Sequence, residues 1–154
     1  RIKSLTINTI YPILRVYCFI VNQPGMVPIQ TLDNLIYFPD MMPTLAALAK
    51  GTKHLPKQIN GINILPLFYG KQVDTDNRLL YWEFPGKQRA ARKGDWKCVT
   101  IHPNQPLELY NLKEDPEETN NLAKKYPRRV KEFDEEMQRM HIPTPNWPQP
   151  GEQF

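Results

Sequence analysis

Long apolar runs and cysteines are scarce in this chain of 154 residues, and both shortages exclude classes of protein. The run 11–21 is too short to cross a membrane and contains Arg15, so we expect no membrane partner. Only two cysteines occur, and neither Cys18 nor Cys98 has the spacing of a metal ligand. We interpret both as buried free thiols, while a disulfide between them stays open.

Neither sign of charge is in large excess, because 20 basic residues face 16 acidic ones and give a net charge of +4. This modest, scattered excess suits an anionic substrate weakly and nucleic acid poorly, so we expect no nucleic-acid partner. Proline is abundant instead, with 16 residues, and predicts short elements joined by many turns.

The first half of the chain has the pattern of an α/β layer. Residues 16–21 are nearly all apolar, as in a strand that is buried on both faces of a parallel sheet. A helix is predicted over 40–49, with Asp40 as its N-cap and Gly51 ending it, and a short helix within 61–71. The predicted apolar stripe of the first helix comprises Met41, Leu45 and Leu48.

The second half has the pattern of a compact α+β unit. Short links between four strands predict an antiparallel meander, and an amphipathic helix over 127–141 should cover one of its faces. A short helix is predicted around Leu122 and Ala123, and the proline-rich tail 143–154 is predicted to be extended or disordered. The predicted strands are 78–84, 88–93, 96–101 and 107–111.

Residues 108–123, ELYNLKEDPEETNNLA, resemble the "ELYNLxxDPxExxNLA" signature near the C-terminus of sulfatases in the alkaline-phosphatase-like superfamily. Four upstream blocks resemble sulfatase motifs in the same order, which is more specific than any one block. They are a strand at 15–25, a helix at 35–49, a short helix at 61–71 and a hairpin at 81–97.

The resemblance implies both a domain organisation and a function. Residues 1–72 would be the C-terminal edge of an α/β catalytic domain, 73–142 the α+β subdomain, and 143–154 a tail. The chain would then be the C-terminal region of a sulfuric ester hydrolase, supporting a catalytic domain that is its main partner. Two alternatives stay open: a stand-alone module that binds carbohydrate or anions, and a truncated product without function.

The resemblance also implies chemistry whose residues are not recognisable here. The intact family enzyme would use calcium and a formylglycine made from Cys or Ser in a C-x-[PA]-x-R motif, which neither Cys18 nor Cys98 matches. Asp74 and Asp76 are interpreted as solvated loop residues rather than metal ligands. We therefore predict no catalytic residue, metal ligand or cofactor in this chain, and no activity for the chain alone.

The hairpin holds the candidate substrate-binding residues, which are Trp82, Glu83, Lys87 and Arg89. Aromatic faces stack on sugar rings and cations hold sulfate, so these residues could border the pocket for a sulfated sugar or an aryl sulfate. The alternative is that alternation along the strand makes Trp82 and Phe84 core residues.

Simpler roles are predicted for the other polar candidates. The three histidines, His54, His102 and His141, are interpreted as surface residues. Charge pairs within the hairpin are predicted for Arg92, Asp95 and Lys97. An unpaired edge at 16–21 predicts self-association, and family resemblance implies a periplasmic, secreted or lysosomal location.

Overall fold

A computed structural model describes residues 34–84, 88–102, 105–146, 148 and 151–153. The chain divides into two compact units, Arg1–Val73 and Asp74–Phe154, and each is described by itself. The strand predicted at 16–21, together with Cys18, lies outside the described residues. Within them, no helix is long and apolar enough to span a lipid bilayer.

Helices form the described part of the first unit. A turn of 3₁₀ helix, Phe38–Asp40, leads into α1 (Met41–Leu48), and α2 (Leu65–Phe68) follows after a second 3₁₀ turn, Thr52–His54. Both predicted helices are present, although α2 is shorter than its block. The left-handed φ of +72° at Gly70 explains why glycine ends α2, since other residues rarely adopt that conformation.

Asp40 lies at the start of α1, but its side chain does not cap that helix as the sequence predicts. The fully buried carboxylate instead accepts hydrogen bonds from the backbone N–H of Tyr37 at 3.0 Å and of Ile62 at 2.9 Å. Thr44 extends this anchor, donating to the carbonyl of Asp40 at 2.6 Å and accepting from the N–H of Ile64 at 3.0 Å. Two buried polar side chains therefore fasten the segment 62–64 to α1.

Two leucines of the predicted apolar stripe of α1 are exposed. Leu45 is 59% exposed and Leu48 is 50% exposed, whereas Pro43 and Thr44 are buried. The polar face turns inward because Asp40 and Thr44 satisfy backbone N–H groups that would otherwise be buried without partners.

An antiparallel meander of four strands builds the second unit, in the order β1-β2-β3-β4. The strands match the predicted ones to within two residues, and the β2–β3 turn has Gly94 at a left-handed φ of +55°. Their bounds are Leu80–Phe84 for β1, Gln88–Lys93 for β2, Trp96–Thr100 for β3 and Glu108–Asn111 for β4.

Helix α3 (Pro127–Met140) packs on one face of the sheet, as its amphipathic pattern predicts. Phe133 and Met137 are its buried residues, and burying such side chains contributes roughly 2 kcal/mol each. They meet one buried side chain from each of three neighbouring strands: Ala91, Cys98 and Leu109. The opposite face of the sheet also carries buried residues, namely Leu80, Ala90, Val99 and Tyr110.

Lys97 on that opposite face corrects the prediction of charge pairs confined to the hairpin. It is 3% exposed, and its Nζ donates to both carboxylate oxygens of Glu118 at 2.6 Å. Arg92 donates its Nε to the carbonyl of Gly94 at 3.1 Å. The sequence could not indicate this ion pair, because Glu118 lies 21 residues from Lys97 along the chain.

Turns connect β4 to α3 in place of the short helix predicted around Leu122 and Ala123. The Asp115 carboxylate accepts the N–H groups of Thr119 at 3.1 Å and Asn120 at 2.8 Å, which closes the turn after β4. The N–H of Leu122 then bonds the carbonyl of Leu109 at 2.7 Å, and Ala123 packs on the core as expected.

Candidate functional site

Glu83, Tyr81, His141 and Glu152 form a half-buried polar cluster where the end of α3 meets β1. The Nδ1 of His141 lies 2.7 and 2.9 Å from the two carboxylate oxygens of Glu83, and its Nε2 hydrogen-bonds a carboxylate oxygen of Glu152. Tyr81 donates its hydroxyl to Glu83 at 2.7 Å. The side chains of the three charged residues are 18–21% exposed.

The cluster favours a protonated imidazole, because a carboxylate accepts hydrogen bonds and both ring nitrogens must therefore donate. The hydrogen bond to Glu152 raises the pKa of His141 most; partial burial opposes that rise, and the bond and charge of Glu83 add to it. Burial, together with the hydrogen bond to Glu83, raises the pKa of the Tyr81 hydroxyl. The charged His141 therefore links Glu83 of the sheet to Glu152 of the tail and does not act as a free base.

His141 corrects the prediction that all three histidines are surface residues, whereas His54 and His102 are exposed as predicted. The described tail residues form no helix or strand, but Glu152 returns to His141, a contact that an extended or disordered tail would not make. The sequence pattern offered one weak signal, since a cation is favourable at a helix C-terminus.

Arg89 lies beside this cluster because it is the cross-strand partner of Glu83. Its guanidinium reaches down to α3, where one terminal nitrogen donates to the Asp134 carboxylate at 3.1 Å. The Arg89 Nε is buried and has no hydrogen-bond partner. Gln138 donates to the other oxygen of Asp134 at 3.0 Å and holds that carboxylate in place.

The structure separates the substrate-binding candidates instead of gathering them. Glu83 and Arg89 share the face under α3, whereas Trp82, opposite Ala90, points to the other face of the sheet. Lys87 lies outside the described residues. The alternative in which Trp82 and Phe84 are core is also wrong for Phe84, which is 43% exposed, while Trp82 is half-buried.

Cys98 does not fit the formylglycine of the family. Its thiol is fully buried in β3, and this burial raises its pKa to about 12, so the reactive thiolate form is suppressed. Calcium requires converging oxygen ligands, and the described part of the chain contains no metal-binding group of His, Cys, Asp and Glu residues. The Asp74 carboxylate accepts both hydrogen bonds of Asn77. No catalytic step through either group can be assigned to the described residues.

Known proteins resemble this chain over most of its length. The family model for "N-sulphoglucosamine sulphohydrolase, C-terminal" matches residues 12–142. An uncharacterised protein of Haemophilus influenzae is 33% identical over 126 residues, covering 75% of this chain and 63% of that protein. An ulvan-active sulfatase of Formosa agariphila is 26% identical over 142 residues, covering 68% of this chain and 28% of that enzyme. Arylsulfatase K of Gallus gallus is 28% identical over 130 residues, covering 75% of this chain and 24% of that protein.

Solved structures share the fold. One from Bacteroides thetaiotaomicron, described with the metabolism of multiple glycosaminoglycans, matches with a TM-score of 0.54 and 26% identity over 66% of this chain and 24% of its own. A 2-O GAG sulfatase matches with a TM-score of 0.52 and 27% identity, over 66% of this chain and 23% of its own. The chain spans less than two thirds of the length of each of these relatives.

Proposed function

Because the chain belongs to the sulfatase family, in its N-sulphoglucosamine sulphohydrolase C-terminal region, we propose that it is the part of a sulfuric ester hydrolase that supports the catalytic domain. One observation carries this proposal: the family model matches residues 12–142, while the alignments with two named sulfatases cover only 28% and 24% of those enzymes. The family implies calcium and formylglycine for the intact enzyme, and these would come from the rest of it.

The two units would have different roles in that enzyme. Residues 1–72 would complete the edge of the catalytic domain, and the exposed side chains of Phe38, Met42, Leu45 and Leu48 would pack against the rest of that domain. In the chain alone the same apolar side chains would promote self-association. Residues 73–142 would form the subdomain, with its own apolar core between the sheet and α3. A periplasmic, secreted or lysosomal location would follow from the family.

The β1–β2 hairpin is the part that we propose borders the sulfated substrate, either a sulfated sugar or an aryl sulfate. Arg89 supports this role as a nearby positive charge, since its side chain is 25% exposed although one terminal nitrogen is paired with Asp134. Glu83 would set the position of neighbouring groups rather than bind sulfate, since a carboxylate repels an anion. Lys87 and Trp82 would add a cation and an aromatic surface.

Activity measurements test the proposal. The purified chain of 154 residues should hydrolyse no 4-nitrophenyl sulfate above a heat-killed control, with or without calcium. Joined to the coding sequence upstream of Arg1, it should become active if that sequence carries C-x-[PA]-x-R. Turnover by the chain alone, retained after both cysteines are replaced, would contradict the proposed division of labour.

A matched pair of lysine variants then tests the hairpin in the longer enzyme. Lys87→Ala should raise KM more than it lowers kcat, because a rim cation binds ground state and transition state alike. Lys93→Ala is the control, since Lys93 lies on the same hairpin and pairs with Glu136 at 3.1 Å. Equal effects of both variants would assign the hairpin to folding alone. Sulfate-specific binding by an otherwise inactive chain, with no catalytic motif upstream, would favour the stand-alone module.

A further inference from the structure

The start of α3 carries the densest positive charge of the described chain. Residues 124–131 include five basic side chains and no acid, and all five are exposed: Lys124, Lys125, Arg128, Arg129 and Lys131. Lys131 pairs with Glu135 at 3.8 Å, whereas the other four form no ion pair with any described residue. Arg89 and Lys97, by contrast, each contact a carboxylate at 3.1 Å or less. Among the residues that the structure describes, ion pairs therefore leave most of the charge at the start of α3 uncompensated.

Two aromatic rings lie within this basic surface. Tyr126 and Trp96 meet edge to face, with ring centroids 5.3 Å apart and an interplanar angle of 74°. The guanidinium of Arg129 lies 4.4 Å from the Trp96 centroid, and the ammonium of Lys125 lies 5.4 Å from that of Tyr126. Cation–π contacts orient these cations without cancelling their charge, so the cations stay available to an anion.

Part of this basic surface is a shallow depression. Lys125, Tyr126, Pro127, Arg128, Arg129 and Glu132 line an open cleft of about 400 Å³. Among the lining residues Glu132 is the one acid, and it lies on the side toward the middle of α3. Tyr126, 37% exposed, offers part of its ring to the cleft.

We propose that this basic cleft binds a sulfated polysaccharide at a site distinct from the β1–β2 hairpin. The inference rests on the proposed function only in that a sulfated glycan is the polymer that such an enzyme meets. Arginine pairs with sulfate oxygens through two parallel N–H bonds, lysine adds a compact charge, and a flat aromatic ring can face the apolar side of a sugar.

The charge pattern favours a short sulfated segment over nucleic acid. From Glu132, at the edge of the cleft, α3 becomes acidic, with Asp134, Glu135 and Glu136 following. At 1.5 Å of rise per residue, Glu135 lies only about 10 Å along the helix from Arg128. A nucleic-acid backbone needs a longer uninterrupted basic track than this, whereas one or two sulfated sugars fit between the acids and the turn before α3.

Binding to the full chain tests the inference without any need for activity. The probe is a highly sulfated heparin octasaccharide, compared with the same octasaccharide after removal of its sulfate groups and with oligothymidylate of similar charge. We expect the sulfated octasaccharide to bind at least about tenfold more tightly than either comparator, and to weaken as salt rises. Equal binding of the desulfated sugar or of oligothymidylate would overturn the proposal, as would no binding at all.

Substitutions in and beside the cleft locate the site. The double variant Lys125→Ala with Arg128→Ala should weaken octasaccharide binding about tenfold, because two exposed cations are removed. The control Lys131→Ala removes a cation from the same helix that is already paired with Glu135, and should change binding less than about twofold. Helical circular dichroism checks that α3 is intact.

A loss of binding in Lys87→Ala but not in the double variant would place the glycan at the hairpin and overturn the assignment to the basic cleft. A failure of the proposed function would be recognised by a different observation, namely that the coding sequence upstream of Arg1 lacks the catalytic motif. Sulfate-dependent binding at the cleft would stand even in that case.

Discussion

The two units keep their described parts together by different forces. In the first, the buried carboxylate of Asp40 and the hydroxyl of Thr44 hold backbone N–H groups of another segment, while several large apolar side chains of α1 remain exposed. In the second, apolar side chains from the sheet and α3 form a closed core, and ion pairs such as Arg89–Asp134 lie around it. Directional hydrogen bonds therefore add to the burial of Leu35, Ile64 and Leu67 in the first region, whereas non-directional burial dominates the second.

The contrast explains which substitutions each region should tolerate. A hydrogen-bonded anchor fails when an acceptor is lost, even if shape is kept, because a buried N–H without a partner is costly. An apolar core fails when volume is lost, because the surrounding side chains relax only partly around the cavity. Changing one type of group in each region tests whether the contrast holds.

The largest effect should follow removal of core volume from the second unit. Leu109→Ala should reduce the free energy of unfolding by about 3 kcal/mol, because Leu109 of β4 is fully buried in the core that α3 covers. Urea denaturation followed by tryptophan fluorescence measures the loss. Met140→Ala, at a side chain that is 42% exposed, is the control and should cost less than about 0.5 kcal/mol. A loss below about 1 kcal/mol for Leu109→Ala would mean that this core is not tightly packed.

A somewhat smaller effect should follow loss of the anchor in the first unit. Asp40→Ala leaves the N–H groups of Tyr37 and Ile62 without their acceptor, at a cost of about 2 kcal/mol, and Asp40→Asn should recover part of it. Hydrogen exchange at these two amides reports the change locally. Asp74→Ala in an exposed loop is the control. Unchanged protection in Asp40→Ala would show that packing, not the carboxylate, holds the segment.

Glycine at position 61 provides an independent test of the same region. A Cβ there would lie 2.0 Å from the carbonyl oxygen of Pro39, a clash with backbone that cannot move aside freely. Gly61→Ala should therefore separate residues 61–64 from α1 and increase exchange at Ile62 and Ile64. Gly51→Ala meets nothing closer than 3.8 Å and is the matched control. Similar exchange in the two variants would contradict the close approach of these backbones.

The ion pair Lys97–Glu118 should respond unequally to changes of its two members. Glu118→Gln leaves the buried Lys97 ammonium without a full countercharge and should cost about 1–2 kcal/mol. Lys97→Met removes that buried charge and leaves Glu118, whose side chain is 24% exposed, able to meet water, so it should cost less. Thermal unfolding at pH 7 compares the two, and the reverse order would contradict this account.

The smallest effect should be a pH dependence at the rim of the second unit. The pKa of His141 is raised in the folded chain by Glu152 and Glu83, so its stabilising charge is fully present below the unfolded pKa of about 6.5. That contribution is lost as pH rises through the folded pKa, by at most about 1 kcal/mol for partly exposed side chains. His141→Gln should remove this step from a plot of stability against pH. A step that persists would come from another group.

Elements with a strong local pattern could be predicted from the sequence, and this explains the agreement in the second unit. The four strands follow from turn residues such as Gly94, and α3 follows from the spacing of Val130, Phe133 and Met137. The predicted burial of α3 against the sheet is confirmed, since Phe133 and Met137 lie in the core. The physical reason is that one face of this helix is apolar. The buried roles of Asp40 and Thr44 could not be predicted, because the N–H groups that they bind lie 22 and 20 residues away along the chain.

The sequence by itself determined the family, the antiparallel meander and the amphipathic helix, since each is encoded by residues that are neighbours along the chain. Only the tertiary structure decided the partners of polar side chains, which lie 58 residues apart for Glu83 and His141 and 45 for Arg89 and Asp134. It also decided that Phe84 stays 43% exposed, which alternation along the strand could not show. Charge and hydrogen bonding act through space, so residues far apart in sequence become partners only after the backbone has folded.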